Sequence, residues 1–157
     1  MKKTNVLRLL DKEKIPYKTF QYDYDPDHLS AKAIAEENGI SLQQVYKTLV
    51  GKGNVTGVLV AVIPSNGTLN FKSVCKAAGN KKMTLVAVKE LQALTGYIRG
   101  GCSPMAMKKP YPVFLDESMM KQDLIYVNAG QRGLLVGIAP SDLVTITKAI
   151  VAKISLD

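Results

Sequence analysis

The sequence contains no tryptophan, a single histidine and only two cysteines among 157 residues. The histidine, His28, follows an acidic stretch typical of a turn, so a Ser-His-Asp or Cys-His-Asp triad would have one candidate base. Cys75 and Cys102 lie far apart without a CxxC pattern, which favours two free thiols over a disulfide. No cluster of Cys and His has the spacing of zinc ligands, so we expect neither a metal nor a cofactor.

Long apolar runs are also missing, since none approaches the roughly 20 residues that a bilayer-spanning helix needs. Residues 1–5 are basic, but no apolar segment or small-residue cleavage site of a secretory signal follows them. We therefore expect a cytoplasmic protein without membrane contact. The length is typical of one domain, and no repeat or linker divides the chain, so residues 1–157 are predicted to form a single domain.

Basic residues outnumber acidic ones and give a formal net charge of +8. The first forty residues are balanced, so the whole surplus lies after them and is scattered along the chain. Folding could gather these charges into a face that attracts phosphates, or leave an ordinary basic surface. Aromatic residues make up only 6% of the chain and no RNP-type motif is present, which argues against a stacking platform for single-stranded RNA.

Apolar periodicity and capping residues predict an α+β fold with a mixed, strongly curved sheet. The helices are predicted over residues 4–14, 30–39, 70–79 and 89–94, and from residue 140 onward. The strands are predicted over residues 17–22, 45–51, 58–63, 83–86, 124–128 and 133–138, and the glycines between residues 51 and 57 predict a hairpin turn.

Lys47 interrupts the apolar face of a predicted strand, where Val45 and Leu49 flank it. A buried ammonium group needs a partner, a cavity or a lowered pKa, because leaving it unpaired in the core is costly. The alternative is an ordinary lysine whose side chain reaches solvent at the edge of the sheet.

Residues 96–104 read G-Y-I-R-G-G-C-S-P, and a strand is expected to pass through them. Cys102 and Ser103 are candidate nucleophiles, but the spacing of Arg99 does not place its charge beside the thiol. Gly100 and Gly101 allow positive φ angles and leave backbone N–H groups open to a ligand. We therefore predict that the backbone of this segment matters more than its side chains.

Four segments together resemble the YbaK-type Cys-tRNA(Pro) deacylases, which are relatives of the editing domain of bacterial prolyl-tRNA synthetases. They are V-Y-K-T-L at 45–49, A-V-I-P at 61–64, G-Y-I-R-G-G-C-S-P at 96–104 and P-S-D-L at 140–143. The resemblance spans nearly the whole chain and implies a barrel-like sheet flanked by helices. It also implies site residues: Lys47, Gly100 and Gly101 as catalytic, and Tyr22, Leu29, Thr48, Ser103 and Asp142 as substrate-binding. Leu29 lies where relatives place an aromatic residue.

The resemblance further implies a reaction in which the thiol of the cysteinyl group attacks its own ester, so that the protein needs no nucleophile. The expected substrate is the cysteinyl-adenosine at the 3′ end of a tRNA, and the expected partner is prolyl-tRNA synthetase. Backbone N–H groups of the glycine pair would stabilise the developing oxyanion. Two alternatives stay open: a deacylase of the same fold for alanine or another small residue, and a non-catalytic module that binds tRNA or a synthetase.

Overall fold

The computed structural model describes residues 3–23 and 31–156. Its helices are α1 Asn5–Lys12, α2 Ala31–Asn38, α3 Phe71–Ala78, α4 Val88–Thr95 and α5 Pro140–Thr147. Its strands are β1 Lys18–Gln21, β2 Tyr46–Gly53, β3 Gly57–Pro64, β4 Thr68–Leu69, β5 Met83–Leu85, β6 Val113–Asp116, β7 Ile125–Asn128, β8 Leu134–Ile138, β9 Ile150–Ala152 and β10 Ser155–Leu156. The predicted α+β class is confirmed.

Local side-chain chemistry sets the ends of the predicted helices. The Thr4 hydroxyl accepts a hydrogen bond from the Leu7 N–H at 3.3 Å and caps α1. The Asn70 side chain caps α3 in the same way, accepting from the Ser73 N–H at 3.2 Å. Gly79 then ends α3 with a φ of +78°, a left-handed conformation that glycine adopts without steric cost.

The largest sheet is mixed, as predicted, with the strand order β5-β2-β3-β6-β9. β2 pairs antiparallel with β3 and β5, whereas β6 pairs parallel with β3 and β9. A second sheet, β1-β8-β7, is antiparallel, and β4 and β10 form a two-stranded sheet. An isolated parallel bridge between Val45 and Tyr126 links the start of β2 to β7. The two larger sheets therefore meet at the residues just before Lys47.

The expectation of one barrel-like sheet is not confirmed. In residues 3–23 and 31–156 the strands form three open sheets, and β5 and β9 are edge strands of the largest. The strand expected through residues 96–104 is also wrong, because this segment follows α4 as an irregular loop. A turn at Gly100, closed by a hydrogen bond from the Gly101 N–H to the Ile98 carbonyl, reverses the chain there and prevents a continuous strand.

β3 is buried on both faces because its side chains alternate between two cores. Val60 and Val62 pack with Leu7 of α1 and with β7 and β8 in one core. Leu59 and Ile63 pack against α3 in the other. This agrees with the continuous apolar run that predicted a central strand. β2 pairs with this buried strand, so the backbone at Lys47 is held by a well-packed neighbour.

Candidate active site

A cavity of about 390 Å³ opens where the start of β2 meets the second sheet and the loop after α4. Residues 45–48 of the β2 segment form one wall, and Gly100 and Cys102 of the loop form another. Asn128 of β7 and Leu135 of β8 complete the lining together with Tyr22, Ile34 and Ser65. The volume falls within the range usual for small-ligand sites.

Lys47 lies in this cavity wall, which is one of the environments that the sequence left open for it, beside an ordinary exposed position at the sheet edge. It pairs with Ile63 in the register between β2 and β3, so the backbone at this position is held by a buried strand. The side chain is half-buried, and among the described residues its ammonium group has neither an ion-pair partner nor a hydrogen-bond partner. The positive charge is therefore available to a ligand inside the cavity.

The loop reaches the cavity through a tight turn at residues 98–101. The N–H of Gly101 donates to the Ile98 carbonyl at 2.9 Å, and Gly100 has a φ of +84°. Arg99 has no positive φ, so the turn is of type II, which requires a left-handed residue at its third position. Glycine meets that requirement without strain, and this explains the first residue of the pair.

The second glycine allows two backbones to approach each other closely. A Cβ on Gly101 would lie 3.1 Å from the Arg132 nitrogen and 3.3 Å from the Gln131 carbonyl carbon. The Arg132 Nε also donates to the Arg99 carbonyl at 2.8 Å. The turn at residues 98–101 is therefore docked on the β7–β8 turn, and a larger residue at position 101 would push the two apart.

The turn leaves two backbone donors free at the cavity. Gly100 and Cys102 both line it, and their N–H groups have no hydrogen-bond partner among residues 3–23 and 31–156. The N–H of Gly101 is engaged by Ile98, so this residue shapes the turn and is not the donor that the sequence suggested. Free N–H groups beside a cavity are the usual means of stabilising an oxyanion.

Cys102 has the properties of a packing residue. Burial raises the pKa of its thiol to about 12, although a hydrogen bond with Thr95 lowers it in part. At neutral pH the group is therefore a thiol, whereas the thiolate is the nucleophile in covalent catalysis. The thiol therefore lacks the property of a nucleophile, and the importance of the backbone of the segment stays a prediction.

Thr48 contributes an unsatisfied polar group. Its hydroxyl oxygen is buried and has no hydrogen-bond partner within the described part of the chain. Leaving a buried hydroxyl unpaired costs about 1–3 kcal/mol. Because Thr48 also lines the cavity, a polar atom of a bound ligand could offset that cost.

Of the remaining expected site residues in the described part of the chain, Tyr22 lies at the cavity, whereas Ser103 and Asp142 do not line it. Tyr22 lines the cavity, and its backbone N–H donates to the Gly133 carbonyl at 2.8 Å. Ser103 is a fully buried residue of the loop, and its hydroxyl accepts from the Met105 N–H at 3.2 Å. Asp142 lies in the first turn of α5, outside the cavity lining found among the described residues. Leu29, like His28, falls outside the described residues.

Asn128 is one of the cavity residues that the sequence interpretation missed. Its Nδ2 donates to the carbonyls of Gly100 at 2.9 Å and Gln131 at 3.1 Å. Its Oδ1 accepts from the N–H groups of Gly130 at 2.7 Å and Gln131 at 3.0 Å. The N-x-G pattern at 128–130 is a turn signal in the sequence, but nothing local shows that the amide also reaches the glycine loop.

Residues 3–23 and 31–156 contain no group of three or more His, Cys, Asp or Glu side chains that could hold a metal ion. They also contain no helix long and apolar enough to cross a bilayer.

Comparison with known proteins identifies the family. The model of the aminoacyl-tRNA editing domain matches residues 25–146. A protein of Enterococcus faecalis (strain ATCC 700802 / V583), named "Putative Cys-tRNA(Pro)/Cys-tRNA(Cys) deacylase EbsC", is 45% identical over 98% of this chain and 93% of its own length. A crystal structure described as "a putative trans-editing enzyme for prolyl tRNA synthetase" has the same fold, with a TM-score of 0.83 at 22% identity over 99% of this chain and 100% of that chain. The crystal structure of "hypothetical protein APE2540" matches with a TM-score of 0.87 at 26% identity over 98% of this chain and 100% of that chain. The chain therefore belongs to the aminoacyl-tRNA editing domain family.

Proposed function

We propose that this protein is a trans-editing aminoacyl-tRNA deacylase that removes cysteine from tRNA(Pro) and also acts on Cys-tRNA(Cys). The observation that carries the proposal is the cavity that joins an unpaired lysine to two free backbone donors. The name of the 45% identical relative supports the choice of cysteine and of these tRNAs.

The lining of the cavity favours chemistry in which the substrate supplies its own nucleophile. Among the described residues, the lining contains no carboxylate and no imidazole, and its one thiol is protonated at neutral pH. An aminoacyl ester is already activated, so confinement and charge stabilisation can accelerate its cleavage without a protein nucleophile.

In the proposed reaction the cysteinyl sulfur attacks the carbonyl carbon of its own ester. The new S–C bond closes a thiolactone, the bond from the carbonyl carbon to the ribose oxygen breaks, and the thiol proton ends on that oxygen. The N–H groups of Gly100 and Cys102 stabilise the oxyanion formed on the way. Lys47 neutralises the phosphate of the terminal nucleotide, which it can do because its ammonium has no partner among the described residues.

The remaining expected residues have positioning roles in this proposal. Tyr22 and Thr48 line the cavity against the aminoacyl group, and the buried Thr48 hydroxyl gains a hydrogen-bond partner when the substrate binds. Gly101 and Ser103 shape the loop that presents the donors. We retain Leu29 as a substrate-binding residue, and we retain Asp142, which does not line the cavity, as an acidic group that attracts the substrate ammonium.

Selection of the tRNA is proposed to come from prolyl-tRNA synthetase as a partner. The sequence has no motif that reads bases, and the domain is small compared with a tRNA. A binding assay with the synthetase and tRNA(Pro), measured separately and together, tests this point. Binding of the protein to tRNA(Pro) with equal affinity in the presence and absence of the synthetase would contradict it.

The function is tested with a panel of tRNA(Pro) charged with cysteine, 2-aminobutyrate, alanine or serine. 2-Aminobutyrate has a methyl group in place of the thiol and nearly the same size as cysteine. It therefore separates the effect of side-chain size in the pocket from the effect of the thiol on the reaction. We expect rapid release of cysteine and slow release of the other three, because they lack the thiol that attacks the ester. Fit to the pocket alone would discriminate such small groups by only about 1–3 kcal/mol. Equal kcat/KM for 2-aminobutyrate would reject the thiol mechanism in favour of a general deacylase for small residues. Binding without release of any residue would indicate a non-catalytic module.

A further inference from the structure

Asn128 connects two turns that are distant in sequence. Both atoms of its side-chain amide are fully used, with two hydrogen bonds donated by Nδ2 and two accepted by Oδ1. This satisfies the whole hydrogen-bonding capacity of an asparagine side chain. A side chain with every bond satisfied has one fixed orientation, so the two turns that it joins are fixed relative to each other.

The four bonds divide into a local set and a long-range bond. Three of them, to Gly130 and Gln131, lie inside the β7–β8 turn that Asn128 itself begins. The fourth crosses to the Gly100 carbonyl, which belongs to the turn at residues 98–101. The local set explains why the β7–β8 turn forms, whereas the fourth bond acts on the loop that carries the free donors.

The peptide that accepts this bond also determines where the donors are held. The Gly100 carbonyl and the Gly101 N–H belong to the same planar peptide unit, and that N–H is bound to Ile98. This peptide is held at both ends, and the two peptide units next to it carry the free N–H groups of Gly100 and Cys102, so the positions of those N–H groups are restrained as well. Fixed donors are effective in catalysis because they need no reorganisation during the reaction.

We propose that Asn128 is a positioning residue for the deacylation reaction, holding the Gly100 peptide so that the free N–H groups beside it meet the developing oxyanion. The inference rests on the proposed function and extends it to a residue that makes no bond to the reacting atoms. Asn128 would accordingly affect the transition state much more than it affects substrate binding.

The test uses Asn128→Asp, which has nearly the same shape. An aspartate keeps an oxygen for the N–H groups of Gly130 and Gln131, so two of the three bonds inside the β7–β8 turn are retained. Its other oxygen would face the carbonyls of Gly100 and Gln131 as an acceptor against acceptors, so the bond between the turns and the third local bond are lost. We expect kcat for Cys-tRNA(Pro) to fall by about 10- to 100-fold, as misplacement of a catalytic group does, while KM stays near the wild-type value.

The pH dependence separates positioning from simple destabilisation. A protonated carboxyl group can donate to the Gly100 carbonyl, so the kcat of the variant relative to wild type should rise as the pH is lowered. Asn128→Ser is the second variant, because its short side chain cannot span both turns, and it should lose kcat at every pH.

Asn80→Asp provides the matched control. Asn80 lies between α3 and β5, outside the cavity lining. Its Oδ1 accepts from the N–H groups of Val55 and Thr56 in the β2–β3 hairpin, and its Nδ2 donates to the Thr56 hydroxyl. This variant should keep the wild-type kcat at all pH values.

If the wild-type protein releases cysteine but both Asn128 variants keep its kcat, or if they raise only KM, the positioning role is overturned and the proposed function stands. If the wild-type protein releases no cysteine from tRNA, the proposed function falls, and this inference falls with it.

Discussion

The backbone N–H of Gly101 lies 2.9 Å from the carbonyl oxygen of Ile98 and donates a hydrogen bond to it. This bond closes the turn at residues 98–101 and removes the Gly101 N–H from the set of donors that a ligand could use. The two adjacent glycines therefore have different tasks: Gly100 supplies a left-handed φ, and Gly101 allows contact with the backbone of Gln131 and Arg132. In the proposed reaction, donation to the ligand falls to Gly100 and Cys102.

Gly100→Ala should destabilise the protein and also slow its reaction. At a φ of +84°, a Cβ raises the free energy of the folded state by about 1–2 kcal/mol. Relief of that strain would rotate the peptide that carries the Gly100 carbonyl and disturb the donors beside it. Urea unfolding should show the loss of stability, and single-turnover deacylation of Cys-tRNA(Pro) should show a fall in kcat.

Gly57→Ala is the matched control for this variant. Gly57 has a φ of +70° in the β2–β3 hairpin, and a Cβ there would meet no other atom within 4 Å. The same backbone strain is expected, with no effect on the cavity. Equal losses of kcat in the two variants would mean that lowered stability alone explains the effect at Gly100.

Lys47→Met should lower activity without lowering stability. The ammonium of Lys47 has no partner among the described residues, so the fold loses no interaction when the charge is removed. A hydrogen bond to a charged group contributes about 1.5–3 kcal/mol, so kcat/KM should fall on the order of 10- to 100-fold. Deacylation kinetics and thermal unfolding of the same preparations provide the measurement.

Lys52→Met controls for the loss of one positive charge from the same strand. Lys52 is exposed near the hairpin end of β2, away from the cavity lining. Its removal should leave kcat/KM close to the wild-type value. A similar loss in both variants would show that overall charge, and not the position of Lys47, attracts the tRNA.

The helix ends could be predicted from the sequence because the interactions that form them are local. Asn70 and Gly79 bound α3 through contacts only a few residues long, and both were recognised from residue type. β6 was missed because its strand is only four residues long and follows two prolines. Its pairing with β3 is parallel and joins residues distant in sequence, such as Val60 and Val113, which no local pattern shows.

The residues of the candidate site also differ in whether the local sequence reveals them. Lys47 stands out because a charge interrupts an apolar strand face, and Gly100 because paired glycines mark an unusual backbone. Asn128 looks like an ordinary turn residue, and its bond to Gly100 depends on how two loops meet in the folded chain. The engagement of Gly101 by Ile98 likewise depends on the turn type, which the glycine pair alone does not specify.

Cys102→Ala should retain most of the deacylase activity. Burial raises the pKa of the Cys102 thiol to about 12, so the thiolate is scarce at neutral pH. The wild-type rate should therefore show no inflection from this thiol between about pH 6 and pH 9, a range well below that pKa. Complete loss of turnover in a folded Cys102→Ala protein would instead support a covalent mechanism through this residue.

Asp116 ties the C-terminal segment to the central sheet. Its carboxylate is 1% exposed and accepts from the N–H groups of Ile154 at 2.9 Å and Ser155 at 3.0 Å. The hydroxyl and the N–H of Ser118 also donate to it. Burial alone would raise the pKa of Asp116, but these hydrogen bonds favour the charged form and leave the pKa below its usual value.

The lowered pKa of Asp116 predicts how stability depends on pH. Because the pKa is lower in the folded state, the ionised carboxylate stabilises the fold above the unfolded-state pKa of about 3.9, and this contribution is lost as the pH falls through the folded pKa. Asp116→Asn should therefore be less stable than wild type at pH 7, by about 1–3 kcal/mol, with a difference that narrows below about pH 4. Urea unfolding from pH 7 to pH 3 measures it, with the exposed Asp123→Asn as a control that should match wild type throughout. A difference that stays constant over this range would show that the charge of Asp116 does not hold the C-terminal segment.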